Sequence, residues 1–194
     1  MNKKVLIIYY TETGSTLDVA TLLATHLSNA SVKDIKEDPD VSADFIILCT
    51  PNKYGKPVPP VIRFIKKYYN QLADIPVSIC FTCMDCYDFP ENERQYPCKI
   101  YKDSYFSSQE KEMRLMNKWE KDHSVMSYIQ SVNNVLPPAS LHSIAFFKGN
   151  LSFKKLSFFD SLIMRFISFI NPKIKPGYYL NKEDVIRRAR ELSN

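Results

Sequence analysis

Short apolar runs recur along the chain, each followed by a polar turn and then by a segment of helical periodicity. Val5 to Tyr10 is apolar at consecutive positions, as a strand buried on both faces requires. It passes through Thr11-Glu12-Thr13-Gly14-Ser15-Thr16 into a helix over Leu17 to about Leu27. Ser31 to Lys36 reads as a polar edge strand, and Glu37 to Ala43 as a charged link. Asp44 to Thr50 is a second buried run, closed by Pro51-Asn52-Lys53-Tyr54-Gly55-Lys56. A helix follows over Pro57 to Gln71, with Pro60 in its first turn and Val61, Phe64, Ile65 and Tyr68 at helical spacing. Pro76 to Thr82 and Ser140 to Phe147 supply a fourth and a fifth strand.

Strands alternating with helices imply a parallel α/β sheet with right-handed crossovers. Residues 84–138 are too many for a simple crossover between the fourth and fifth strands. Met84 to Ser108 looks irregular, and Gln109 to Val132 reads as one long helix with Met113, Met116, Trp119, Val125, Met126 and Ile129 as its apolar positions. Pro137-Pro138 ends the segment. A length of 194 residues suits a single domain over 1–194 with 84–138 inserted into it. The insertion starts at the rim where strands hand over to loops, so it is placed to act as a lid.

The turn after the first strand carries the sharpest chemistry. A strand running straight into a helix gathers unpaired N–H groups and the positive dipole end at one point, a natural anion site. A dinucleotide fingerprint would hold three glycines and an ATP loop a Gly-Lys-Ser/Thr. This turn has one glycine, three Thr, one Ser and no Lys. Such a turn can merely cap a helix, or it can wrap a phosphate monoester. It resembles the phosphate loop of flavodoxins, Thr/Ser-x-Thr-Gly-x-Thr, at every specified position. The resemblance implies FMN as cofactor and a flavodoxin-like three-layer sandwich with a five-stranded sheet in the order 2-1-3-4-5. It assigns phosphate contacts to Thr11, Thr13, Gly14, Ser15 and Thr16 and counts Glu12 among the cofactor-binding residues.

Isoalloxazine is apolar on its faces and polar along one edge, so it needs apolar walls and well-placed donors and acceptors. Pro51, Asn52, Lys53, Tyr54 and Gly55 form the expected second loop, with Tyr54 against the ring or at the surface. Thr82, Cys83, Met84 and Asp85 form the third. Asp85 or Asp88 near the ring would lower its potential. Cys80, Cys83 and Cys86 share an x-x spacing, with Cys98 beyond. The spacing is open to a metal site or a Cys83–Cys86 dithiol, but five irregularly spaced cysteines in a chain without a visible signal region read as thiols. His26, His123 and His142 have no metal-ligand spacing and are expected to be structural.

Charge changes the picture at one end only. The chain carries +5, but from Lys148 onward ten Lys or Arg face four Asp or Glu. A basic tail suggests nucleic acid, yet Leu156 to Ile170 is apolar over most of its circumference and flanked by Lys154, Lys155, Lys173 and Lys175. Its fifteen residues make about 22 Å of helix, too short for a bilayer core of about 30 Å. It either lies in a membrane surface, docks a partner or quinone, or packs as an over-hydrophobic helix between sheet and insertion. A polar helix over Asn181 to Ser193 closes the chain.

The amino half, the insertion, Lys155-Leu156-Ser157-Phe158-Phe159-Asp160 and the last helix (Glu183-Asp184-Val185, Ala189-Arg190-Glu191-Leu192) are similar to the bacterial menaquinone-dependent protoporphyrinogen IX dehydrogenases. That resemblance implies an FMN oxidoreductase with no catalytic side chain and no metal, passing electrons from a reduced donor to a quinone-like acceptor. Its partners would be a quinone, a porphyrin-like molecule or a redox protein, in the cytoplasm or at the membrane's surface, and not nucleic acid. The alternative is a flavodoxin-type electron carrier with no substrate of its own. Such carriers tend to be acidic, and this chain is not.

Overall fold

The computed structural model describes residues 3–53, 55–106, 109–156, 158–170 and 175–193. Six strands form one parallel sheet: β1 (Val5–Tyr9), β2 (Ala30–Asp34), β3 (Phe45–Lys53), β5 (Val77–Cys83), β6 (Lys99–Lys102) and β7 (Leu141–Lys148), in the order β2-β1-β3-β5-β7-β6. β1, β5 and the first six residues of β3 are buried almost throughout, which is why both their faces are apolar. The two-residue β4 (Lys56–Pro57) turns back antiparallel on β3, pairing Asn52 with Pro57 and Lys53 with Lys56.

Helices cover both faces. α1 (Ser15–His26) and α7 (Lys182–Ser193) bury Val19, Leu23, Val185 and Ala189 against Ile7 and Ile47. On the other face α2 (Pro59–Lys67) and α5 (Val125–Asn133) bury Phe64, Ile65, Tyr128 and Ile129 against Leu6, Ile8, Ile46 and Leu48. α3 (Tyr69–Leu72) and α4 (Lys118–Asp122) are single turns, and α6 (Phe158–Ile170) stands apart from both layers.

The flavodoxin-like α/β class holds, but three expectations are corrected. The sheet has seven strands rather than five. β2-β1-β3-β5-β7 keeps the expected order, and β6, drawn from the insertion, is added along its outer edge. Lys99-Ile100-Tyr101-Lys102 was hard to see because it is short and puts lysines at both ends, as edge strands do. The long helix over Gln109 to Val132 is broken. Asn117 opens α4 with a reciprocal capping box to Glu120, and Ser124 starts α5 by accepting from Ser127 N–H at 3.3 Å. Finally, α6 does not pack between sheet and insertion. Phe158, Phe159, Phe166 and Phe169 are 65 to 86% exposed. No described helix is long and apolar enough to cross a membrane.

Candidate cofactor-binding site

All five central strands point their carboxyl ends at one rim, where crevices of α/β sheets bind ligands. A cavity opens there among the ends of β3, β5 and β7 and the loop after β1. Glu12, Thr13 and Ser15 line it from the first loop, Pro51, Asn52 and Lys53 from β3, and Thr82, Cys83, Met84 and Asp85 from β5. Ten of the fifteen positions singled out in the sequence therefore meet in one place.

The other five are placed differently. Thr11 Oγ1 accepts from Gly14 N–H at 2.9 Å and shapes the loop from outside the cavity. Gly14 adopts φ +101°, open to glycine at no steric cost, and serves as the residue before α1. Thr16 is buried and its hydroxyl pairs with that of Thr82 at 2.8 Å, stitching α1 to β5. Gly55 is used for packing: it has φ +74°, and a Cβ there would fall 2.2 Å from the Asp122 carbonyl oxygen. Tyr54 lies outside the described residues.

Within the loop, hydroxyls are largely committed. Ser15 Oγ accepts from Asn150 N–H at 2.9 Å and donates to Asn150 O at 3.1 Å. Among the described residues Thr13 makes no side-chain hydrogen bond and faces the cavity. The anion-binding capacity thus rests on Thr13 and on the first amides of α1 more than on the full set of hydroxyls. Glu12 would oppose an anion, but Lys53 Nζ lies 2.9 Å from its Oε2 and 3.0 Å from Asp160 Oδ2. Partial burial works against the Lys53 charge, and the two carboxylates outweigh it, holding the ammonium above its ordinary range.

The sequence reading missed the cavity's other walls. Gly149, Asn150 and Leu151 follow β7, where Gly149 N–H donates to Cys83 O at 3.0 Å. α6 contributes Asp160, Ile163, Met164 and Ile167, with Leu156 just ahead of it. α4 and the residue after it contribute Trp119 and His123, whose rings stack at 4.1 Å. The i, i+3, i+4, i+7 spacing of Asp160, Ile163, Met164 and Ile167 was readable, but α6 is so apolar that no single stripe stood out.

The donor set fits riboflavin phosphate. Trp119, Met84, Leu151, Met164 and Ile167 give apolar walls for a flat ring. Asn52 Nδ2 donates to Tyr128 Oη at 2.7 Å, and that hydroxyl donates to Asp85 O at 3.1 Å. Asn52 Oδ1 is buried with no partner among the described residues, an acceptor for a ring N–H. Asp85 lines the cavity, whereas Asp88 does not. Asp88 is buried under Lys102, Tyr96 and Arg94, holding the insertion together. The five cysteines are free thiols. Burial pushes the Cys83 and Cys86 thiols well above their usual range, the opposite of a reactive dithiol. Among the described residues no group of three His, Cys, Asp or Glu is placed to hold a metal.

The flavodoxin-domain family model matches residues 6–173. No curated protein matches the sequence. The Trp repressor binding protein of Bacillus subtilis is similar over 98% of each chain at 11% identity, with a TM-score of 0.50. A flavoprotein of Lactobacillus acidophilus solved with FMN is 15% identical, over 74% of this chain and 93% of its own, TM-score 0.46. A flavodoxin of Streptococcus pneumoniae is 14% identical over 97% of both chains, TM-score 0.45. The family match spans most of the sequence. The chain belongs to the flavodoxin-domain family, and FMN is the cofactor its site is built to hold.

Proposed function

We propose that the chain is an FMN-dependent oxidoreductase that takes electrons from a reduced donor and passes them to a quinone-like acceptor at a membrane surface. This is the activity of the menaquinone-dependent protoporphyrinogen dehydrogenases that its sequence resembles. The observation that carries the proposal is the double character of α6. One side lines the cofactor cavity with Ile163, Met164 and Ile167. The other presents Phe158, Phe159, Leu162, Phe166 and Phe169 to the outside. A helix that is apolar toward both the cofactor and the surroundings is a wall through which a lipophilic acceptor can approach.

Bound FMN supplies the redox chemistry. The chain's part is to bind and orient it. Thr13 and the α1 amides receive the phosphate end, Asn52 offers its free carbonyl to the ring edge, and Trp119 and His123 close the cavity over it. Lys154 and Arg165, both exposed, are suited to anionic headgroups.

The test is flotation with vesicles containing about one-third anionic lipid, using the full chain and the triple variant F158S/F166S/F169S. The wild type floats and, once reduced, transfers electrons to a naphthoquinone held in the bilayer. The variant stays in the aqueous fraction and loses transfer to the embedded quinone while keeping transfer to a soluble one. Equal flotation and equal rates for the two proteins would defeat the proposal.

A further inference from the structure

The phosphate loop contains no cation, but the structure brings one to it from the far end of the chain. A Cβ built on Gly14 would lie 3.7 Å from Lys155 Nζ. The two residues belong to opposite walls of the site. Gly14 leads into α1, and Lys155 ends a short helical turn over Phe153–Lys155 just before α6.

That position is held by several bonds. The Asn150 backbone is tied at both N–H and C=O to Ser15 Oγ, at 2.9 and 3.1 Å. Leu151 exchanges two hydrogen bonds with Gly177, each 3.0 Å. Lys155 N–H donates to Ser152 O at 3.1 Å. The seam between the loop and residues 149–155 is thus part of the fold, and it brings Lys155 beside the phosphate loop, with its ammonium within reach of Gly14.

In electrostatic terms the arrangement is unfavourable by itself. The amino end of a helix carries roughly half a positive charge, and an ammonium beside it adds a whole one. Among the described residues no carboxylate pairs with Lys155, and the loop's own Glu12 pairs with Lys53 instead. The first turn of α1 carries one acidic residue, the exposed Asp18, which accepts from Asn150 Nδ2 at 3.5 Å. With Lys155 itself unpaired, the helix end and the ammonium still favour one kind of guest, an anion seated between them. With the Ser15 and Thr16 hydroxyls committed elsewhere, the loop has few other ways to favour a dianion over water.

We propose that Lys155 is a phosphate-positioning residue for FMN, supplying from the α6 arm the charge that the loop lacks. The inference rests on the FMN reading above and goes further, since it makes cofactor affinity depend on the docking of the 149–155 segment. It also predicts discrimination. FMN is held much more tightly than riboflavin, and the difference is sensitive to salt because an exposed ion pair is screened.

The experiment titrates flavin-free full-length protein with FMN and with riboflavin, following quenching of flavin fluorescence, in wild type, K155Q, K155R and K154Q. K155Q weakens FMN by about tenfold, the scale of one lost charged hydrogen bond, and leaves riboflavin unchanged. K155R stays within about threefold of wild type, as a retained charge would, and K154Q behaves as wild type. Lys155 is exposed, so the substitutions do not threaten folding. If K155Q binds FMN as well as wild type, or weakens FMN and riboflavin in equal measure, the role of Lys155 is overturned while the FMN reading stands. If the wild type binds neither flavin, both fall together.

Discussion

Lys53 Nζ lies 3.0 Å from Asp160 Oδ2, and this ion pair joins the carboxyl end of β3 to the first turn of α6. The same ammonium sits 2.9 Å from Glu12 Oε2 in the phosphate loop. Three separate segments therefore meet on one charge, at the edge of the cavity. All three side chains are about one-third exposed, and exposed pairs of this kind contribute only ~0–1 kcal/mol to stability. Their value lies in neutralising two carboxylates beside an anion site. In K53M the fold persists with a near-native melting temperature, while FMN affinity falls by roughly tenfold as Glu12 and Asp160 are left uncompensated. Circular dichroism and flavin titration on one preparation check this; unchanged affinity would mean that the trio is only a surface network.

Gly55 offers a harder steric test. Its φ of +74° costs an L-residue roughly 1–2 kcal/mol. In addition, a Cβ there would meet the Asp122 backbone oxygen at 2.2 Å, far inside contact distance. Neither a backbone carbonyl nor the β3–β4 turn yields cheaply, so G55A loses at least about 2 kcal/mol in urea unfolding. Because Asp122 ends α4, the displacement carries Trp119 and His123 with it. The variant that still folds shows a changed flavin absorption band. A loss below about 0.5 kcal/mol would show that the β3–β4 turn does not abut α4.

The pattern of residues made the frame legible, and the reason is local. Val5 to Tyr10 and Thr11 to Thr16 announce a buried strand and a turn into a helix within a dozen positions, and the structure has β1 over Val5–Tyr9 and α1 from Ser15. β3, β5 and β7 were equally plain, because a central parallel strand must be apolar on both faces. What stayed hidden depends on distant contacts. Ser15 meets Asn150 across 135 positions, and nothing near either residue signals the pairing. Lys155 and Trp119 reach the cavity through segments whose own periodicity says helix and no more. The late start of α4 did have a signal, Asn117 with Glu120 three residues on, but the longer apolar spacing of Gln109 to Val132 masked it.

Tyr128 links the core to the cavity wall. It is fully buried, accepts from Asn52 Nδ2 and donates to Asp85 O. Y128F keeps the ring, which packs on Phe81 and Phe146 at 5.0 and 4.9 Å, and removes both hydrogen bonds. The buried Asn52 amide and Asp85 carbonyl then lack partners, a cost of about 1–3 kcal/mol. Freed from Tyr128, Asn52 can turn, so the flavin spectrum shifts as well. A stability loss without a spectral shift would place Asn52 away from the ring.

Asp103 sets a pH dependence whose sign can be worked out. It follows β6, is 1% exposed, and accepts from Lys148 N–H at 2.5 Å and Tyr105 N–H at 3.0 Å. Burial pushes its pKa from the ordinary 3.8 up to about 6, against the lowering effect of those two N–H groups. Between those values the folded chain holds a proton on Asp103 that the unfolded chain has released. Acid therefore favours folding at this residue. Its contribution is fully present below about pH 4 and is lost as pH rises through about 6, with a slope of at most about 1.4 kcal/mol per pH unit. Most carboxylates act in the opposite sense, so the signature is the difference between wild type and D103N. D103N lacks the titration and carries a constant penalty, because its amide nitrogen cannot accept one of the two N–H bonds. Urea unfolding at half-unit steps from pH 4 to 8 should show the wild-type advantage over D103N shrinking up to about pH 6 and level beyond it. A difference that is flat across the window, or grows with pH, would remove Asp103 from that role.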